Sequence, residues 1–538
     1  MTRLAVLDLL DIGLYFAASL GIGYWALRRN RGASADYFLA GRDVGWLAIG
    51  ASLFSTNIGS EHLVGLAGTG AASGLAVGQF EWLACLMLLL LGWLFAPFYI
   101  KSGVFTMPEF LERRYNAAAR WYLTIVSIIG YVLTKISVTL YAGGVIIRAL
   151  TGWDLWTSAV VIVIATGLYT IAGGLRAVIY TEVMQTFVLI AGSGMLTLLG
   201  LHAVGGWSAL VAHVPPDFFS IWKPASHPDF PWTGIVFGAP ILGVWYWCTD
   251  QYMVQRVLAA KGRSEARLGT ISAGFLKLLP PFIFILPGII ARVLYPEIRG
   301  PAADQAYPVL VTRLLPLGMR GIVMAAMLAA LMSSLASVFN SCSTLVTWDI
   351  YRKLRPQASE RRLVLVGRGA TAVLVVLGLL WIPFMRYISS QLYLYLQSVQ
   401  AYIAPPIAGC FLLGLFLPRL NGAGAVASLL TGFVLGAARL LLELANGPAH
   451  DGLPAGSFGA WIAGINFLHY AVLLFAVCTV VLVGVSLVTP APDPERIRDL
   501  TFGRAGAERA SASATRRRDM ALSVVLVAIL VTLWLTFR

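Results

Sequence analysis

The stretch ASLFSTNIGSEHLVGLAGTG, Ala51 to Gly70, is apolar enough to lie in a lipid bilayer, yet Asn57-Ile58-Gly59-Ser60 interrupts it with residues that favour non-helical backbone. A helix broken there frees carbonyl oxygens. Unwound backbone at membrane depth is tolerated only where it lines a cavity or binds an ion; the alternative is that Gly and Ser merely let helices pack closely. A second stretch, AALMSSLASVFNS from Ala329 to Ser341, bears on the choice. On a helix Ala330, Ser333 and Ser334 stand at i, i+3 and i+4 and face the same way. That face offers one carbonyl and two hydroxyls. Neutral oxygens suit a hard monovalent cation, and the lack of a carboxylate cluster argues against calcium or magnesium. An uncharged site of this kind binds sodium weakly, which suits a coupling ion released in every cycle.

The rest of the chain supports a membrane setting. Of 538 residues, 58% are hydrophobic and 12% charged, against roughly 45–50% and about 25% in soluble domains, and the mean hydropathy is +0.79. So apolar a chain must face lipid, which excludes a soluble enzyme or a DNA-binding protein. Apolar windows fall near 12–27, 46–72, 76–99, 119–149, 156–173, 178–204, 234–257, 268–291, 320–350, 364–385, 391–417, 422–445, 461–488 and 520–537. These predict an all-α polytopic protein of about fourteen transmembrane helices. With both termini outside, the inner loops hold roughly 24 basic residues and the outer ones about 8, a strong positive-inside bias. The net charge of +14 therefore marks topology and calls for no nucleic-acid partner.

The first window has no basic residue-rich leader or cleavage pattern and reads as a retained span. The chain divides into a transporter domain over 1–488, a flexible basic inner linker over 489–518 with Pro490, Pro492 and Pro494, and a final helix over 519–538. The five cysteines lie in apolar stretches without CxxC spacing, so neither a disulfide framework nor a zinc site is expected.

Charges at membrane depth are costly, about 2.5–3.5 kcal/mol each on insertion scales, and so are informative. Glu81, Lys135, Glu182, Asp250, Arg256, Lys277 and Asp349 fall there, joined by Asn57, His62 and Gln397. Arg256 and Asp349 sit near helix ends and read as anchors; Glu81 and Lys277 lie deeper. Phe80-Glu81-Trp82, Trp245 to Gln251, and Tyr393 with Gln397 combine flat apolar faces with donors and acceptors. That combination suits a neutral, hydroxyl-ringed sugar, because a site built for hydroxyls leaves buried groups unpaired when the wrong solute enters.

These residues carry a resemblance. DYFLAGRDVGW (Asp36 to Trp46), STNIGSEHLVGLAGTGAASG (Ser55 to Gly74), YTIAGGLRAVIYTE (Tyr169 to Glu182), WYWCTDQYMVQR (Trp245 to Arg256), LKLLPPF (Leu276 to Phe282), LAALMSSLASVFNSCSTLVTWDIY (Leu328 to Tyr351) and LYLYLQSVQAYIAPP (Leu392 to Pro406) resemble the sodium/solute symporter family and its sodium/glucose cotransporter branch. The resemblance implies a leucine-transporter-like fold, a five-plus-five inverted repeat spanning about 46–417 whose first helix is the broken one. It implies a sodium site of the backbone oxygens of Ser55, Ile58 and Ala330 with the hydroxyls of Ser333 and Ser334. The implied sugar site contains Asn57, His62, Glu81, Tyr246, Trp247, Lys277 and Gln397, with Phe80 and Tyr393 as aromatic neighbours or gates.

Gly243 stands where some glucose-transporting relatives have Thr, and Tyr393 where some have Phe. Glu182 and Ala336 occupy positions where some relatives use Asp and Thr for a further sodium ion. The expected activity is sodium-driven import of a monosaccharide of glucose or galactose type by alternating access, with sodium as the coupling ion, no other cofactor and the lipid bilayer as its surroundings. A myo-inositol or polyol symporter and a sodium- or sugar-gated sensor are the rival readings. No GxSxG, HExxH or P-loop arrangement suggests an enzyme. The excess of Arg over Lys and the abundance of Ala fit a multi-pass protein of a bacterial cell membrane.

Overall fold

The computed structural model describes residues 6–28, 38–59, 61–385, 392–447, 452–502 and 514–538. Among them the chain is helical from end to end and forms no strand. The elements that matter for the site are α1 (Val6–Arg28), α2 (Trp46–Asn57), α3 (Gly78–Leu90), α4 (Ala117–Tyr131), α5 (Leu155–Val204), α6 (Gln251–Leu258), α7 (Arg263–Leu276), α8 (Met319–Thr344), α9 (Leu392–Phe416), α10 (Phe467–Val488) and α11 (Ala514–Thr536).

Eleven helical segments among the described residues are long and apolar enough to cross a bilayer. Three windows expected from sequence are missing from that count. The window 46–72 is split, because α2 ends at Asn57 and helical turns resume at His62. The window 234–257 is split as well: Asp250 is extended (φ −76°, ψ 128°) between the turn Val244–Thr249 and α6. The windows 156–173 and 178–204, expected as two spans, lie on the single 50-residue helix α5.

Several chain ends are fixed by charge. Asp8 on α1 accepts the N–H groups of Gly318 and Gly321, each at 3.1 Å, and pairs with Arg320 at 2.5 Å. It therefore supplies the carboxylate that satisfies the otherwise unpaired donors at the start of α8. Asp519 on α11 pairs with Arg267 on α7 at 2.7 Å. Phe537, just past α11, lies 5.9 Å from the Trp82 ring of α3.

Two expectations are corrected. Arg256 and Asp349 do not anchor helix ends at an interface. Arg256 is fully buried beside Glu182 at 3.3 Å, and Asp349 is buried against Arg120 at 2.7 Å; each charge found an internal counter-ion, which is cheaper than an unpaired charge in an apolar interior. The segment expected to be a flexible linker is docked over its first part. Ile497 and Leu500 are buried, and Phe502 stacks on Phe416 at 5.2 Å and meets Phe98 edge-on at 4.8 Å. These three apolar residues give the segment the packing face that its proline and arginine content concealed. The stretch 503–513 of that linker lies outside the described residues.

Candidate functional site

The break after α2 exposes the oxygens that the sequence singled out. Gly59 N–H bonds to Asn57 O at 3.1 Å, so it does not reach Ser55 O, and His62 N–H bonds to Gly59 O at 3.0 Å instead of Ile58 O. The carbonyls of Ser55 and Ile58 thus lose the partner that a continuous helix would provide. Ser55 Oγ donates to Gln185 Oε1 at 3.4 Å. Opposite the break, Ala330, Ser333 and Ser334 lie buried on α8, and Ser333 Oγ donates to Ala330 O at 3.4 Å. Gly59 abuts that face: a Cβ added to it would stand 2.5 Å from Ser334 Oγ. Only a residue without a side chain allows so close an approach.

A narrow cavity of about 50 Å³ opens beside the break, less than the roughly 300–1,000 Å³ common for small-molecule sites. Its walls bring together Asn57, His62, Phe80, Glu81, Tyr246, Trp247, Tyr393 and Gln397. Lys277, the remaining predicted member, lies just behind them, fully buried, and donates to both Glu81 Oε2 and Asn57 Oδ1. Its Nζ also sits 5.5 Å above the Trp247 ring. Glu81 meets His62 Nε2 at 3.3 Å through its other oxygen. Asn57 Nδ2 donates to Tyr246 Oη at 3.0 Å, and Gln397 Nε2 donates to Tyr393 Oη at 2.8 Å.

Local backbone explains how these side chains converge. His62 lies in the turn His62–Leu66, and Tyr246 and Trp247 lie in Val244–Thr249. Both are π-helical turns, whose extra residue re-aims side chains and which are frequent at functional sites. Glu81 projects from the first turn of α3, Lys277 follows the end of α7, and Tyr393 and Gln397 are one turn apart on α9. Aromatic rings close one side: Phe80 meets Tyr393 at 6.0 Å, Phe230 at 6.3 Å and Phe467 of α10 at 6.5 Å.

The structure adds members that the sequence reading left out of the site. Lys135, in the π-helical turn Val132–Ile136, donates to Tyr246 Oη at 3.1 Å and pairs with Glu61 Oε1 at 3.4 Å. Lys135 stands out in the sequence as a charge at membrane depth; Glu61 was not singled out, though it directly follows the segment read as a break. Met87 and Gln400 also line the cavity, and nothing in their local sequence distinguishes them. Glu182 accepts from Thr56 and Ser337 at 2.8 Å each, from Ser52, and from Arg256 at 3.3 Å. This carboxylate therefore ties α2, α5, α6 and α8 together. Around the cavity the charges of Glu61, Glu81, Lys135 and Lys277 cancel, so the lining suits an uncharged, hydroxylated solute.

Comparison with known proteins fixes the family. Residues 37–432 match the sodium:solute symporter family. The chain belongs to it. Relatives include sodium/glucose cotransporter 1 of Ovis aries, 42% identical over 522 residues that cover 90% of this chain and 78% of that protein. The sodium/myo-inositol cotransporter of Canis lupus familiaris is 42% identical over 545 residues, covering 93% and 76%. Among solved structures, a sodium-coupled sialic acid symporter in a substrate-bound outward-open state aligns with a TM-score of 0.76 at 23% identity, over 91% of this chain and 99% of that one. A nucleobase-cation-symport-1 family transporter in a closed conformation aligns with 0.55 at 14% identity, over 86% and 97%. These last two show a shared fold, of leucine-transporter type. The symporter is thus a multi-pass, sodium-coupled membrane transporter and not an enzyme.

Proposed function

We propose that this symporter imports a monosaccharide of the glucose or galactose type together with sodium, by alternating access. The observation that carries the reading is the polar ring of Asn57, His62, Glu81, Lys277 and Gln397, capped by Phe80 and Tyr393 and set directly beside the broken helix. Such a ring presents several fixed donors and acceptors to a neutral polyhydroxyl ring, and the aromatic faces exclude water. The identity to a sodium/glucose cotransporter over most of the chain supports the same cargo.

Sodium held by the oxygens of Ser55, Ile58, Ala330, Ser333 and Ser334 draws the break toward α8 and favours the state in which the sugar ring of contacts is complete. Sugar then permits closure and inward opening. One charge crossing 100 mV supplies about 2.3 kcal/mol and a tenfold sodium gradient about 1.4 kcal/mol, which together sustain roughly 500-fold accumulation. A single ion is therefore enough. Arg256 already neutralises Glu182, which supports a one-ion cycle. The proposed topology has fourteen spans, an inverted repeat of five plus five helices and both termini outside, in the cell membrane of a bacterium.

A polyol cargo is the second reading, favoured by the equal identity to a sodium/myo-inositol cotransporter. Uptake of labelled glucose into proteoliposomes, with and without an inward sodium gradient, tests the proposal. Uphill, sodium-dependent uptake blocked by unlabelled glucose or galactose supports it. Blockade by myo-inositol alone favours the polyol, and binding without uphill uptake favours a sensor.

A further inference from the structure

The sodium site assigned above is built of uncharged oxygens, yet the structure places a carboxylate at its edge. Glu61 is 1% exposed. Its Oε1 faces Lys135 at 3.4 Å, a long contact that the ammonium shares with Tyr246 Oη at 3.1 Å. Its Oε2 is buried and makes no hydrogen bond, and the same holds for Ser334 Oγ. These two unpartnered oxygens converge on one point. A Cβ on Gly59 would stand 2.5 Å from Ser334 Oγ and closer still to Glu61 Oε2, so the oxygens are at most about 5 Å apart. Ligands about 2.3–2.6 Å from one hard cation have that separation.

Two orphaned oxygens from different elements, one of them anionic, are costly in an apolar interior. A cation between them removes that cost. We propose that Glu61 is an anionic ligand of the coupling cation, added to the neutral oxygens of the site. The proposal rests on the assignment of Ser333 and Ser334 to that site. Lys135 then competes with sodium for the same carboxylate. Because Lys135 also holds Tyr246, and Tyr246 holds Asn57, the competition links the ion to the wall of the solute cavity.

The test is sodium binding to the purified full-length chain without sugar, read as the sodium-dependent change in tryptophan fluorescence, for Glu61→Gln, Lys135→Met, the double variant and Ser334→Ala. Lys135→Met frees the carboxylate and should lower the sodium K0.5 about threefold or more. Glu61→Gln and the double variant should both raise it about tenfold or more. If Glu61 serves only as the counter-ion of Lys135, the double variant returns to the wild-type K0.5, and that result overturns the proposal. Unchanged sodium binding in Lys135→Met overturns it too, even where Glu61→Gln fails to fold. Glu61→Asp keeps the charge but shortens its reach; wild-type binding there would count against direct ligation. Ser334→Ala separates the two levels. If it weakens binding while the double variant stays at the wild-type value, Glu61 alone is misassigned; if it leaves binding unchanged, the sodium site itself is wrong.

Discussion

Lys277→Met removes the ammonium that Glu81 and Asn57 share. Lys277 is 0% and Glu81 3% exposed, so the stranded carboxylate cannot turn to water. It keeps His62 Nε2, at 3.3 Å, as its remaining partner. Removing one member of a buried pair costs about 3–5 kcal/mol, because the remaining charge retains its desolvation penalty. The contact with His62 offsets part of this, so the lower end, about 3 kcal/mol, is expected. Glu81→Gln with Lys277→Met removes both charges and leaves an amide that still reaches His62. Neutral groups of similar volume replace buried pairs at little cost. The double variant should therefore be at least about 2 kcal/mol more stable than the sum of the single effects, against the roughly 0.5 kcal/mol scatter of independent sites.

Sugar affinity should respond differently, since a hydrogen bond to a charged group is worth about 1.5–3 kcal/mol. Each single change should raise the sugar K0.5 roughly 10- to 150-fold, and the double should recover none of it. Denaturant unfolding in mixed micelles, followed by tryptophan fluorescence, gives the stabilities, and counterflow in proteoliposomes gives the affinities. Additive stability losses, or a double variant that regains sugar affinity, would refute the pairing argument.

Ser333→Ala removes one hydroxyl of the proposed sodium site and should raise the sodium K0.5 about tenfold, near 1.4 kcal/mol, with an unchanged helical circular-dichroism spectrum. Gln397→Glu reverses the donor role of residue 397 toward Tyr393 Oη and adds a negative charge, so competition assays should show glucose losing and amino sugars gaining relative affinity. Asp8→Asn leaves Arg320 without its carboxylate and weakens the cap of α8; a loss of about 1 kcal/mol or more in unfolding experiments is expected. In the loop 213–231, the hydrogen bond from Lys223 holds the Asp217 carboxyl below its ordinary value of 3.8. A depressed carboxylate stabilises above its unfolded value and loses that contribution as pH falls through the lowered one. Limited proteolysis of the loop should thus stay flat near neutrality and rise only in strong acid, whereas Asp217→Asn should be cleaved faster at neutral pH.

Much of the site was legible because membrane depth makes polarity conspicuous. Glu81, Lys277 and Gln397 stand out from apolar neighbours, and Asn57-Ile58-Gly59-Ser60 cannot be read as comfortable helix. The second break was not legible: Asp250 was visible as a charge, but the aromatic run Trp245-Tyr246-Trp247 masked the change of backbone. Its cause is local, since the Asp250 carboxylate accepts the N–H of Tyr252 at 3.1 Å and the hydroxyl of Tyr131, and so begins a new helix. Nor could sequence place Arg256. Its partner Glu182 is 74 positions away, and only packing brings the two together.

The positions of the buried charges follow from the two breaks. Interrupting a helix inside a membrane leaves backbone groups without water to satisfy them, so each break needs polar side chains from elsewhere in the chain. Tyr252, just beyond the second break, donates its hydroxyl to Thr56 O just before the first, and Arg256 donates to Thr56 Oγ1 at 2.8 Å. The two interrupted helices are thereby locked to each other at their cores. The contacts of Phe80 with Tyr393, Phe230 and Phe467, by contrast, are ring packing alone. Opening the cavity on that side exposes apolar area but strands no charge. The other side is held by Lys135, Tyr246 and Asn57, and opening there must first rearrange hydrogen bonds that reach the proposed cation ligands. On the proposed alternating-access cycle, this asymmetry gives one side that solute alone can move and one whose release depends on the ion.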